Sequence, residues 1–111
     1  MTKLGQKQLL MRIFIGEGDR YLHKPLYEAL VELLHAEGLS GATVLRGVCG
    51  FGGHRRLHSQ KLLDISADLP LVVEVVDSEQ KLESVMPRIE AMMEGGMITL
   101  EKVTAIRYNR D

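Results

Sequence analysis

Gly50-Phe51-Gly52-Gly53-His54-Arg55-Arg56-Leu57-His58 gathers three glycines, two arginines and two histidines into one short stretch. Glycine accepts positive φ at little cost, so such a run can turn successive backbone N–H groups inward as an anion-binding nest. Arg55 and Arg56 add guanidinium groups suited to phosphate or carboxylate. The first chemistry implied is therefore anion binding. The second is metal binding: His54 and His58 are spaced so that a helical turn would put both imidazoles on one side, and Cys49 and His23 could add ligands. No Cys-x-x-Cys or His-Glu-x-x-His accompanies them. The third is general-base catalysis by His58 beside Asp64 or Asp68, but adjacency of Ser59 to His58 does not put their reactive groups in hydrogen-bond geometry. Without a nucleophile–base pair or a Walker, Rossmann or Gly-x-Ser-x-Gly pattern, the reading is that of a non-enzyme. The plain alternative to all three is a solvated basic loop.

The elements that must position this stretch are legible on both sides of it. Leu9, Met11, Ile13 and Ile15 alternate with Leu10, Arg12 and Phe14, predicting a strand over Gln8–Gly16 with two largely apolar faces, as in the middle of a sheet. Gly16-Glu17-Gly18-Asp19 closes it as a turn. Pro25 suits the first turn of a helix whose Leu26, Leu30, Leu33 and Leu34 form one stripe, and Gly38 stands where a left-handed cap belongs. His35 reads as a surface residue or a partner of that helix's C-terminal dipole. Ala42–Cys49, broken by Arg46 and Gly47, reads as an edge strand. The loop from about Gly50 to Asp64 follows, well beyond the two to five residues that connection alone requires.

From Pro70, Leu71-Val72-Val73-Glu74-Val75-Val76 is apolar on both faces and should be central. Asp77, with Gln80 three residues on, is the expected cap of a second helix. Its stripe is Leu82, Val85, Met86, Ile89 and Met93, with the methionines as core filler. Pro87 should kink it near Glu83. Gly95-Gly96 ends that helix, and Met97–Tyr108 reads as the fourth strand. The order βαββαβ is that of an α+β, ferredoxin-like fold: a four-stranded antiparallel sheet with two helices on one face, in a single domain over 1–111. In that fold the first and third strands are central, the same two that are most apolar here.

Composition narrows the function classes. A net charge of −1 disfavours general nucleic-acid binding, so basic chemistry must be local to the glycine-rich stretch. A single cysteine, Cys49, forms no internal disulfide and fits a reducing cytoplasm. No signal peptide follows the basic N-terminal residues, and no apolar run would span a bilayer.

Arg46-Gly47, Gly50-Phe51-Gly52, His58 and the block Ser66-Ala67-Asp68-Leu69-Pro70-Leu71-Val72-Val73-Glu74-Val75-Val76-Asp77 resemble the pattern of a small prokaryotic family, domain of unknown function 190. The likeness runs from Met11 to Arg107, and that family in turn resembles the PII signalling proteins. The resemblance implies a homotrimer whose intersubunit clefts bind a small effector, often an adenine nucleotide. Ligand occupancy would then set the conformation of the loop between the second and third strands, and so its affinity for a partner protein. Genes of the family often neighbour that of a membrane fluoride channel, which implies a membrane transport protein as partner. Carried onto this chain, Gly50, Phe51, Gly52 and Gly53 shape the cleft, Arg55 and Arg56 meet an anion or partner, and Gly95, Gly96 and Arg107 approach a phosphate. Asn109, next to Arg110, stands near where a further phosphate-binding arginine would be. The chain departs from PII proteins before the fourth strand. Their longer glycine- and lysine-containing phosphate loop is reduced to Gly95-Gly96, with no lysine until Lys102. A smaller anion, a mononucleotide or a cyclic nucleotide is thus easier to accommodate than ATP. The divalent-metal reading of His54 and His58 stands as the alternative.

Overall fold

The computed structural model describes residues 5–52, 58–59 (backbone alone) and 68–108. Its main sheet has four antiparallel strands in the order β4-β7-β1-β8, formed by β1 (Gln6–Gly16), β4 (Thr43–Arg46), β7 (Pro70–Asp77) and β8 (Met97–Ala105). Two small ribbons complete the strands: β2 (Arg20–Tyr21) with β3 (Lys24–Pro25), and β5 (Cys49–Gly50) with β6 (His58–Ser59). Helices α1 (Leu26–Ala36) and α2 (Glu79–Met92) cover one face. The fold is α+β and ferredoxin-like, with the first and third predicted strands, β1 and β7, in the middle.

Alternation decides which face is covered. Met11, Ile13 and Ile15 of β1 and Leu71, Val73 and Val75 of β7 are buried against Leu26, Leu30 and Leu34 of α1 and Leu82, Val85 and Ile89 of α2. Burial of each such side chain stabilises by about 1.5–3 kcal/mol. Met86, Met92 and Met93 pack at the margin of this core, as filler. Among the described residues the opposite face carries no helix. Pairing in register puts Leu45, Val72, Phe14 and Met97 in one apolar row across it. Arg12 and Glu74 form the next row, joined by an ion pair of 2.9 Å. That hydrogen-bonded carboxylate, outweighing desolvation, raises the Arg12 pKa.

Several local expectations need correction. Ser78, not Asp77, caps α2: its hydroxyl accepts the Lys81 N–H at 3.2 Å. Asp77 is the last inward-facing residue of β7, only 6% exposed, and it accepts N–H groups from Ser78 (2.7 Å) and Ser40 (2.8 Å). It therefore ties the α1–β4 connection to the end of β7. The second predicted strand splits: β4 ends at Arg46, and Cys49–Gly50 leaves the main sheet to pair with His58–Ser59. The fourth strand stops at Ala105, opposite Gln6, where β1 begins. Pro25 is the N-cap residue of α1, one position before its first turn, and it also closes the β2–β3 ribbon, pairing with Arg20.

Gly38 does adopt the left-handed cap, with φ +81° and the Leu39 N–H bonded back to the Leu34 carbonyl at 3.1 Å. His35 is exposed in the last turn of α1. Helix α2 runs through Pro87, and the Glu83 carbonyl that loses its amide partner belongs to an exposed residue.

Two measurements check this account. Burial alone would raise the pKa of Asp77, but the Ser78 and Ser40 hydrogen bonds and the Lys81 charge together hold it below the usual carboxylate range. A lowered folded pKa contributes stability above the unfolded value of about 4, lost as pH falls through the folded value. Asp77→Asn should therefore lower the melting temperature at neutral pH and flatten its fall below about pH 4. Gly96 has φ +96°, and a Cβ there would lie 2.5 Å from the Phe14 carbonyl oxygen. Gly96→Ala should cost about 1–3 kcal/mol, read as a lower denaturation midpoint.

Candidate functional site

The Gly16-Glu17-Gly18-Asp19 turn at the end of β1 lies between the chain that leaves β4 and the chain that enters β7. On the incoming side, Arg46 Nη2 donates to Glu17 Oε2 at 2.6 Å and the Gly47 N–H donates to the Pro70 carbonyl at 2.7 Å. On the outgoing side, the Glu17 N–H donates to the Leu69 carbonyl at 2.8 Å and the Gly18 N–H donates to Asp68 Oδ1. The Asp68 carboxylate sits where side chains at Gly16 and Gly18 would be, 3.0 and 3.1 Å from their ideal Cβ positions. The same turn starts α1, since Asp19 takes the Gly16 N–H on its carboxylate (2.9 Å) and the Leu26 N–H on its carbonyl (2.8 Å). Sequence reasoning gave Glu17, Arg46 and Asp68 no role in fastening the loop. The only signal was that Arg46-Gly47 and Asp68-Leu69-Pro70 belong to the family-like blocks.

From this base the chain passes through Cys49 and Gly50 and pairs backbone to backbone with Ser59 and His58. Gly50 has φ +154°, and its ideal Cβ would be 3.3 Å from Pro70 Cγ, so a glycine lets the ribbon turn closely over β7. Phe51 is exposed beyond it, and nothing lies within 4 Å of a side chain added at Gly52. Gly53, His54, Arg55 and Arg56 lie outside the described residues, as do Asn109 and Arg110, and of His58 only the backbone is described. The cationic part of the predicted nest and the His54–His58 metal pair thus fall outside the description. Among the described residues no group of three or more His, Cys, Asp or Glu could hold a metal ion.

Gly95 and Gly96 stand at the same end of the sheet, since Met97 pairs with Phe14 and Gly16 pairs with Pro70. Their roles differ. Gly96 is pressed against the Phe14 carbonyl, whereas Gly95 has open space around it. Arg107 lies at the opposite end. Its Nη2 donates to Gln8 Oε1 at 2.7 Å and to the Val76 carbonyl at 3.0 Å. The length of β8 separates it from Gly95-Gly96, about 30 Å at strand rise. The structure therefore brings Gly50–Gly52 and Gly95-Gly96 to one end and does not bring Arg107 to them. None of these residues lines either of two surface cavities, one of about 490 Å³ between α1 and α2 and one of about 370 Å³ beside β1 and β8.

The family model DUF190, described as an uncharacterised ACR family, matches residues 8–105. The chain belongs to that family. A UPF0166 protein of Aquifex aeolicus is 38% identical over 100 residues, covering 90% of this chain and 94% of the relative. A UPF0166 protein of Methanocaldococcus jannaschii is 33% identical over 95 residues, covering 85% and 87%. Among solved structures, CPII of Thiomonas intermedia K12 superposes with TM-score 0.64 at 18% identity, covering 96% of this chain and 94% of that one. It is described as a nitrogen regulatory PII-like protein bound to ADP, AMP and bicarbonate. A putative PII-like signalling protein of Thermus thermophilus superposes with TM-score 0.65 at 16% identity over 90% of each chain. The DUF190 chain thus has the PII-like fold. No helix among the described residues is long and apolar enough to cross a membrane.

If Asp68 fastens the loop base, Asp68→Ala should speed amide exchange at Gly18 about tenfold. Exchange at Glu17, whose acceptor is the Leu69 carbonyl, should change less. Equal exchange at Gly18 in both proteins would remove Asp68 from this role.

Proposed function

We propose that this protein is a PII-like regulatory module, assembled as a trimer, that binds a small anionic effector between subunits and thereby sets the loop conformation read by a partner protein. One observation carries the reading. The glycine-rich residues and Arg107 occupy opposite ends of one sheet, so only two copies can bring them to one ligand. The helix-free face offers the surface for such an assembly, with Leu45, Val72, Phe14 and Met97 in a row that a neighbouring copy would cover. In this arrangement Gly50, Phe51, Gly52 and Gly95 of one subunit face Arg107 of the next, with Gly53, Arg55 and Arg56 on the loop.

The effector class follows from the cationic and N–H character of those groups and from the fold relative that holds ADP, AMP and bicarbonate. An adenine mononucleotide or a small oxyanion suits the short Gly95-Gly96 turn better than a triphosphate. An effector shifts the loop only by binding one of its conformations more tightly than the other, and Glu17, Arg46 and Asp68 are where that bias reaches the rest of the fold. The role is regulatory rather than catalytic, and a membrane transport protein is the partner proposed.

Light scattering on a sizing column should give a mass of three chains, and Phe14→Glu on the open face should reduce it while helix content is kept. Thermal melting against ATP, ADP, AMP, cyclic adenine nucleotides and bicarbonate should show a shift of several degrees for the effector. At 100 times its dissociation constant a ligand adds about 2.7 kcal/mol. Arg107→Ala and Gly52→Trp should each abolish the shift, and mixed assemblies of the two variants should regain part of it. Failure of the mixture to recover binding would place the site within one copy.

A further inference from the structure

We propose that the cavity beside β1 and β8 is a second binding site, for a small anion carrying one carboxylate or phosphate group, separate from the cleft between subunits. It measures about 370 Å³ and is lined by Lys7, Gln8, Leu9, Glu79, Lys102, Val103 and Thr104, of which Lys7, Leu9, Lys102 and Thr104 share one face of the β1–β8 pair. In the β1–β8 register Lys7 is opposite Thr104 and Lys102 is opposite Leu9. The two lysines are therefore diagonal neighbours on one face, about 7–8 Å apart at the backbone.

Their lack of partners sets them apart. Every other described Lys or Arg side chain holds an ion pair or a hydrogen bond to the fold. Among the described residues Lys7 and Lys102 hold neither, and both line the same cavity. Two neighbouring ammonium groups repel one another unless an anion lies between them. Thr104, opposite Lys7 in the register, adds a hydroxyl on the same face. Glu79 lines the cavity too but forms an ion pair with neither lysine. Its carboxylate limits the site to a ligand with one compact acidic group, because further negative charge would meet it.

This site does not depend on the function proposed above. Its walls face the helix-bearing side of the β8 edge, and neither Arg107 nor the glycine-rich residues line it. A nucleotide response lost in Arg107→Ala and an anion response lost in the lysine variants are separable results.

The experiment is an amide NMR titration of the whole protein at low ionic strength with inorganic phosphate and, separately, sodium acetate, with sodium chloride as control. Saturable shifts are expected at residues 7–9 and 102–104 with phosphate, acetate or both, and not with chloride. The stronger of the two identifies the acid group. The double variant Lys7→Gln/Lys102→Gln should weaken the response about tenfold, whereas Lys24→Gln, whose lysine pairs with Glu32, should leave it unchanged. Should the double variant fold poorly, Glu79→Gln serves in its place and should tighten phosphate binding about threefold. Shifts no larger than those with chloride overturn the proposal. So does an unchanged isotherm in the lysine double variant or in Glu79→Gln.

Discussion

The register of β1 on β7 is the constraint from which the rest of the fold follows. Pairing runs from Leu9 opposite Asp77 to Gly16 opposite Pro70. A slip of one residue would turn Met11, Ile13 and Ile15 out of the core and drive Arg12 under the helices. Given this register, Arg12 meets Glu74 across the open face. At one end Gly16 meets Pro70, so Asp68 and Leu69 fall beside Gly18 and Glu17. At the other end the Val76 carbonyl is left within reach of Arg107. One pairing thus fixes the covered face, the base of the loop and the place of the arginine.

Magnitudes separate what holds the fold from what positions the site. Each buried side chain of the core contributes about 1.5–3 kcal/mol, whereas exposed ion pairs such as Arg46–Glu17 contribute about 0–1 kcal/mol. The polar groups around the loop base are therefore weak as stabilisers but specific in direction. Asp68 takes one named N–H, and Glu17 takes one guanidinium while its own amide bonds to Leu69. Contacts of this size can exchange partners without disturbing the core beneath them.

The core was legible in the sequence because period-two alternation in Leu9–Ile15 and Leu71–Val76 and the helical stripes through Leu30 and Leu82 are local patterns. Gly38 was legible for the same reason. What escaped depends on contacts distant along the chain. Asp77 looks like a helix cap until Ser40, far away in sequence, claims its carboxylate. Ala42–Cys49 looks like one strand until Gly47 meets Pro70, after which Cys49 and Gly50 pair with Ser59 and His58. The β2–β3 ribbon turns at Leu22 with φ +56°, a conformation that leucine's own preference argues against. Of the candidate site, the residue types were legible in the sequence, but the opposite sheet ends that the glycines and Arg107 occupy follow from the β1–β8 register. That Gly96 serves packing against Phe14 while Gly95 stays open was not legible, because both read alike in sequence.

The spacing between the two halves of the proposed cleft also constrains how the protein would respond to its effector. Gly95 and Arg107 are separated by the length of β8, which is hydrogen-bonded along β1, so no loop movement within one copy closes about 30 Å. A ligand touching both must bind two copies at once. It would then stabilise the assembled state over the separated one by an amount that grows with effector concentration relative to its dissociation constant, and by reciprocity assembly would strengthen ligand binding. In the proposed assembly the apolar row on the open face would supply the assembly term, and the arginine and glycines the ligand term. Effector response and quaternary structure would then be a single equilibrium, and a change that weakens packing at Phe14 would weaken ligand binding without touching any proposed ligand-contacting residue.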